Sequence, residues 1–175
     1  MGIKSQKVVN SKDIYNPRQI MTRYIQEMSQ TFEFLKDSKD YLEYKRMAKK
    51  ISGTIYLVRF SSLMNMAVVY FYSLYEAFTR NFFGALLLRD NNISYQEYKI
   101  RYPRFHDVLE KVVRGIYDIF LPKHIYETIN HLRIARNQII HLGKNAKPSF
   151  DIIETCYDSL TEYFEFLDKK MPSQV

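Results

Sequence analysis

The chain has 175 residues, enough for one domain with a complete hydrophobic core, and a net charge of +7 at pH 7. Its single cysteine, Cys156, excludes an internal disulfide and a cysteine-based metal site, which fits a reducing compartment such as the cytoplasm. The longest uncharged run, residues 60–75, has 16 residues and includes polar ones, fewer than the roughly 20 apolar residues of a membrane span, so we expect a soluble protein with no membrane partner.

The N-terminal segment, residues 1–15, is predicted to be a flexible basic tail. Its lysines are followed by no apolar run, so it does not resemble a signal peptide. Asn16 and Pro17 then have the pattern of an N-cap followed by proline at the first helical position. We expect a single helical domain over residues 16–172 that begins at this pair.

The first predicted helix runs to about Lys36. Ser38 can cap a continuation that Gly53 ends, and the two pieces can also be one bent helix. Residues 54–60 are rich in residues that favour strands, so a short strand is one possible interpretation of this segment. We favour an extension of the helix that follows, because the next segment is long and apolar.

Residues 62–88 are the longest helical candidate. Their apolar side chains cover a wide face at helical spacing, which predicts a central, heavily covered helix. The sequence of residues 90–92, Asp-Asn-Asn, indicates a loop. Ser94 and Glu97 have the spacing of a capping box and predict a brief turn before Pro103.

The last part of the chain restores the helical period. Residues 105–120 predict one helix, and Pro122 opens the next in a position where proline is tolerated. A final helix after Pro148 has one apolar and one acidic side. The prediction is an all-α fold, a compact bundle of about five helices, with a core rich in Tyr and Phe.

Residues 132–143 break the pattern that the other helices follow. At about 100° per residue, Ile129, Leu132 and Ile139 form an apolar stripe, and Arg136 falls within it. An unpaired guanidinium is costly to bury. Arg136 therefore requires a carboxylate, an anionic ligand or water at an interface.

Charge is unevenly distributed around this segment. Residues 123–147 contain five Lys and Arg against one Glu, together with three of the four histidines, whereas residues 148–175 have a net charge of −4. A basic local field attracts a phosphate backbone, although a charge run is more often only a solvated surface. We favour the polyanion interpretation.

The segment Arg136-Asn137-Gln138-Ile139-Ile140-His141 resembles the R-x4-6-H signature of the HEPN superfamily (higher eukaryotes and prokaryotes nucleotide-binding), with a polar residue after the Arg. Proteins of that superfamily are helical, often dimeric and frequently metal-independent ribonucleases. The resemblance implies a HEPN-like bundle with one further helix after the motif. Residues 101–106 match the same spacing, but Pro103 interrupts any helix there.

The resemblance implies a metal-independent endoribonuclease that cleaves RNA. His141 would act as general acid or base, Arg136 would hold the scissile phosphate, and Asn137 would orient the phosphate or His141. Each has a simpler alternative: His141 can bond the last carbonyls of its helix, Arg136 can form a buried ion pair, and Asn137 can be an ordinary exposed residue. No cofactor and no metal ion are expected.

Supporting residues are predicted around the motif. Glu76 lies mid-helix, where HEPN-like proteins often carry an acidic residue, and is the candidate partner of Arg136, although it can pair instead with Arg80 at i+4. Arg133 and Lys144 are candidate contacts to RNA.

Other functions remain open. A non-catalytic HEPN-like module for nucleotide, RNA or protein binding would use the same groove without breaking a bond, and a purely structural partner would have no affinity for RNA. The resemblance also implies a toxin or phage-defence setting, with an antitoxin or a regulatory protein as partner. Toxins paired with a nucleotidyltransferase antitoxin usually have Tyr two residues after the His, whereas this chain has Gly143.

The spacing of the motif also leads to a prediction about assembly. On a straight helix Arg136 and His141 diverge by about 140°. We therefore expect either a distortion near Gly143 or a second copy that supplies the missing group across a two-fold axis. The resemblance favours the second, so we predict a homodimer with both motifs at its interface.

Overall fold

The computed structural model describes residues 16–143 and 149–171. Within them the chain forms six helices and no strand, which confirms the predicted all-α fold. The helices are α1 (Pro17–Met47), α2 (Gly53–Asn91), α3 (Tyr95–Arg101), α4 (Phe105–Asp107, continued by a π-helix over Val108–Arg114), α5 (Lys123–Leu142) and α6 (Phe150–Lys170). The predicted tail, residues 1–15, and the candidate RNA contact Lys144 lie outside the described residues.

Helix α1 begins at the predicted residue. The Asn16 side-chain oxygen accepts a hydrogen bond from the backbone N–H of Arg18 at 2.9 Å, and Pro17 follows it as the first helical residue. The helix then continues past Ser38 without a break. Its buried side chains recur every seven residues along the side that packs on the bundle: Met21, Met28, Leu35 and Leu42.

The prediction that Gly53 ends a helix is wrong, because Gly53 is the first residue of α2. The preceding residue, Ser52, caps α2 by accepting a hydrogen bond from the N–H of Ile55 at 3.3 Å. Residues 54–60 are helical rather than a strand. Helix propagation from a capped start into a long apolar segment outweighs the weak local preference for strand.

Helix α2 lies at the centre of the bundle and packs against α1, α5 and α6. Its Thr79 hydroxyl pairs with the hydroxyl of Tyr163 on α6 at 2.9 Å, and both side chains are buried. Around them the core is aromatic, as predicted. The ring of Phe78 contacts those of Phe82, Tyr163 and Phe164.

By length and composition alone, α2 could cross a membrane. Its most apolar window has a mean hydropathy of 1.3, and 28% of that window is buried in the bundle. The core helix of a soluble protein meets the same criterion, so this result does not distinguish a membrane-spanning helix from a buried core helix.

The segment between α2 and α5 differs from the prediction in two respects. Ser94 accepts a hydrogen bond from the N–H of Glu97 at 3.2 Å, but it starts the short helix α3 rather than a bare turn. The next helix ends at Arg114, six residues before the predicted end, and most of it is π-helical. A Cβ atom on Gly115 would lie 2.6 Å from the carbonyl oxygen of Lys111, so the tight backbone after the π-helix requires glycine.

Helix α5 follows Pro122, as predicted, and ends where Gly143 adopts a left-handed conformation with φ of 59°. Helix α6 begins after Ser149, whose hydroxyl accepts from the N–H of Ile152 at 3.4 Å. It packs on α1, α2 and α5 through its apolar side and closes the bundle.

Candidate functional site

A cleft of about 510 Å³ lies between α2, α4 and α5. Its walls combine buried aromatic and aliphatic side chains with charged and amide groups. The polar groups that matter for the chemistry below are Glu76 from α2, His106 from α4, and Asn130, Arg133, Arg136 and Asn137 from α5. The structure therefore brings four of the predicted site residues, Glu76, Arg133, Arg136 and Asn137, to one cleft.

Arg136 extends from α5 into this cleft beside α2. Its Nη1 donates a hydrogen bond to Asn137 Oδ1 at 3.0 Å, and its Cζ lies 5.8 Å from the ring centre of Tyr72. Its Nε is buried and has no hydrogen-bond partner among the described residues. Because a buried donor without an acceptor costs about 1–3 kcal/mol, an anionic oxygen that reached Nε would gain a strong interaction.

His141 lies in the last turn of α5 with an exposed side chain. Its Nε2 is 3.4 Å from Arg136 Nη1, and α5 stays α-helical through Leu142. One undistorted helix therefore brings the two side chains into contact, without the distortion near Gly143 that was one of the two expected alternatives. The long arginine side chain bridges the angular separation, and a second copy is not needed for the contact.

The predicted pairing of Glu76 with Arg136 is not the one that the structure records. Glu76 Oε1 lies 3.4 Å from Arg80 Nε, which is the i+4 alternative. Arg80 is held further by the backbone carbonyls of Tyr102 and Pro103, each at 3.5 Å. Glu76 still lines the cleft, but its carboxylate pairs with Arg80 rather than with Arg136.

The charges of the cleft do not cancel on the α5 side. On α4, Glu110 accepts two hydrogen bonds from Arg114 at 2.7 and 3.0 Å. Arg133 instead donates to the amide oxygen of Asn130 at 2.9 and 3.2 Å. Among the described residues neither Arg133 nor Arg136 forms a salt bridge, so both cations are available to an anionic ligand.

The hydroxyl of Tyr72 is surrounded by these charges. Burial is the main cause that raises its pKa, the Glu76 carboxylate raises it further, and Arg133, Arg136 and Arg80 lower it. The net direction is upward, so the hydroxyl remains protonated at neutral pH and can donate a hydrogen bond into the cleft.

His106 is a cleft residue that sequence reasoning missed. The match over residues 101–106 was set aside because of Pro103, and the structure does separate α3 from α4 at residues 102–104. Arg101 of that match pairs with Glu97, but His106 lines the same cleft as Arg136. Only packing of α4 against α2 brings it there, so no local signal could have identified it.

The arrangement supplies a guanidinium, amides and imidazoles, which is a set suited to phosphate binding and proton transfer. Within residues 16–143 and 149–171, no group of three or more His, Cys, Asp or Glu side chains could hold a metal ion. Comparisons with protein-family models, curated proteins and solved structures give no match.

Proposed function

We propose that the protein is a metal-independent endoribonuclease of the HEPN type, with Arg136, Asn137 and His141 as its catalytic residues. The observation that carries the proposal is the 3.4 Å separation of Arg136 Nη1 and His141 Nε2. It places a permanent cation beside a side chain that can transfer protons near neutral pH. Arg136 lines a cleft in which two arginines lack carboxylate partners among the described residues, whereas His141 is not part of the cleft lining and reaches the site through its contact with Arg136.

The RNA supplies the nucleophile, which is its own 2′-hydroxyl. His141 takes the proton from this hydroxyl while the oxygen attacks the adjacent phosphorus, and the 5′-oxygen leaves with a proton from water or from a second acid. Arg136 donates to the non-bridging oxygens and stabilises the charge that develops there. The products are a 2′,3′-cyclic phosphate and a 5′-hydroxyl. Asn137 holds the guanidinium in position through its 3.0 Å hydrogen bond.

The test is cleavage of single-stranded RNA in the presence of EDTA. The matched control is His131→Ala, since His131 is an exposed histidine on the same helix and, unlike His141, forms no hydrogen bond with Arg136 among the described residues. We expect cyclic-phosphate ends from the wild type and His131→Ala, and rates lower by roughly 100-fold or more for His141→Ala and Arg136→Ala. No cleavage by the wild type, or equal cleavage by His141→Ala, would contradict the proposal.

A non-catalytic RNA-binding or protein-interaction module is the second candidate. It is favoured by one feature: among the described residues Arg136 alone forms a hydrogen bond with the His141 ring, and no second one of them orients the imidazole for proton transfer. RNA binding that weakens with salt, together with no cleavage, would select this function. A purely structural role would leave RNA unbound at any salt concentration.

We also propose that the active form is a homodimer assembled through the exposed side of α5. Ile134 and Ile140 are 41% and 46% exposed, and Ile134 lies seven residues before His141, on the same side of the helix. Ile140 lies about 120° away around the helix, so a two-fold contact on the Ile134 side would cover Ile134 and the side of α5 that carries His141. Sedimentation at micromolar concentration should show a dimer that Ile134→Glu converts to a monomer, and a monomeric wild type would exclude it.

A toxin or phage-defence role in the cytoplasm, with an antitoxin or regulatory protein as a further partner, belongs to the same proposal. It is supported by the nuclease chemistry alone. Expression of the wild type should arrest growth, and expression of His141→Ala should not. Equal growth of both strains at equal protein levels would contradict the toxin or phage-defence role but would leave the proposed RNA cleavage untouched.

A further inference from the structure

The cleft has a second, apolar part that the phosphate chemistry does not use. Its walls are formed by Tyr72, Tyr75, Phe105, Val113, Ile119 and Tyr126. Most of these side chains are buried or half-buried, whereas Tyr126 is 49% exposed. The total volume of about 510 Å³ lies within the roughly 300–1,000 Å³ of pockets that hold small ligands.

The aromatic rings of this part differ in how they are held. Tyr75 and Phe105 contact each other edge to face at 5.5 Å, and the guanidinium of Arg80 lies 5.5 Å from the Phe105 ring centre. Tyr126 has no recorded ring contact with another described residue. The structure therefore combines a fixed aromatic wall with one exposed aromatic side chain from α5.

Polar groups line the same cleft as this apolar part. Arg133 and Arg136 would attract a phosphate, while Glu76 would repel it. The Glu76 carboxylate can accept hydrogen bonds, and the Asn130 amide nitrogen remains able to donate because only its oxygen is engaged by Arg133. A ligand that carries both a phosphate and hydrogen-bond donors matches these groups.

We propose that the apolar part of the cleft binds one unstacked nucleobase of the RNA, next to the phosphate held by Arg136. This inference rests on the proposed function, because it takes the same site to bind RNA. The base stacks on Tyr126, and its edge donates to Glu76. Guanine matches a carboxylate best, since its N1–H and amino group are two adjacent donors, whereas uracil has one donor between two acceptors.

The first test is binding, which does not depend on cleavage. Guanosine monophosphate, uridine monophosphate and inorganic phosphate are titrated into the wild type, Glu76→Gln and Tyr126→Ala, with Tyr126→Phe as the matched control. We expect guanosine monophosphate to bind roughly tenfold more tightly than the uridine nucleotide. Glu76→Gln should abolish that ratio, and Tyr126→Ala, but not Tyr126→Phe, should weaken both nucleotides roughly tenfold. Thermal unfolding of each variant verifies that it folds.

The second test maps cleavage sites on a mixed-sequence RNA. We expect cuts next to guanine in the wild type and no base preference in Glu76→Gln. Nucleotides that bind no more tightly than inorganic phosphate would overturn the base pocket, even if RNA is cut. Selective nucleotide binding without any RNA cleavage would instead support the base pocket and contradict the proposed ribonuclease activity. Failure of the pocket and failure of the proposed function therefore give different results.

Discussion

Arg136 Nη1 lies 3.4 Å from His141 Nε2 although the two residues are five positions apart on one uninterrupted helix. Each chain therefore carries its own complete pair. We expect a mixture of Arg136→Ala and His141→Ala chains to be as inactive as either variant alone. The measurement is the initial rate of RNA cleavage after the two are unfolded and refolded together. Restored activity would show that the pair acts between two copies.

Asn137 offers a way to neutralise Arg136 without removing it. In Asn137→Asp a carboxylate replaces the amide oxygen that lies 3.0 Å from Arg136 Nη1, so the guanidinium would be paired internally. We expect weaker RNA binding and a salt dependence reduced by about one phosphate contact. Gln138→Asp, an exposed neighbour with the same change of charge, is the control and should leave the salt slope nearly unchanged. Equal effects of both would mean that only net charge matters.

Two buried tyrosines form a matched pair for stability. The hydroxyl of Tyr163 bonds to Thr79 at 2.9 Å, whereas that of Tyr98 is buried without a hydrogen-bond partner among the described residues. Tyr163→Phe should lower the free energy of unfolding by about 1 kcal/mol, because it removes a buried hydrogen bond to Thr79. Tyr98→Phe should be neutral or stabilising. Urea unfolding measures both, and similar losses would contradict this account.

Two glycines differ in the space around them. A Cβ on Gly115 would lie 2.6 Å from the Lys111 carbonyl oxygen, while one on Gly53 would meet nothing within 4 Å. Gly115→Ala should destabilise the protein by about 1–3 kcal/mol and disturb the cleft, since the preceding π-helix lines it. Gly53→Ala, at the start of α2, should be neutral or stabilise by up to about 1 kcal/mol. The melting temperatures of the two variants check this order.

The buried thiol of Cys156 predicts a pH effect of known sign. Burial raises its pKa to about 11 from an ordinary value of 9.0. The folded state therefore favours the neutral thiol, and this contribution to stability is present below pH 9 and is lost as the pH rises toward 11. Cys156→Ala should remove this part of the alkaline loss. The native thiol should also react slowly with a disulfide reagent at pH 8 and quickly in denaturant, and fast native labelling would contradict burial.

Features with a local cause could be predicted from the sequence. The start of α1 depends on Asn16 and Pro17, and the end of α5 depends on Gly143, so neighbouring residues were enough. The presence of α6 followed from its two-sided pattern of apolar and acidic residues. Each of these depends on capping geometry or helical periodicity, which act within a few residues along the chain.

Features that depend on side-chain reach or on distant segments required the tertiary structure. Gly53 begins a helix that packs along α1, and His106 reaches the cleft because α4 folds back on α2. Glu76 pairs with Arg80 rather than with Arg136, and this depends on the position of α5 relative to α2. The sequence by itself placed Arg136, Asn137 and His141 on one helix. Only the folded chain decided that Arg136 and His141 touch, because a long side chain can cancel an angle that helical indexing assigns to its Cα.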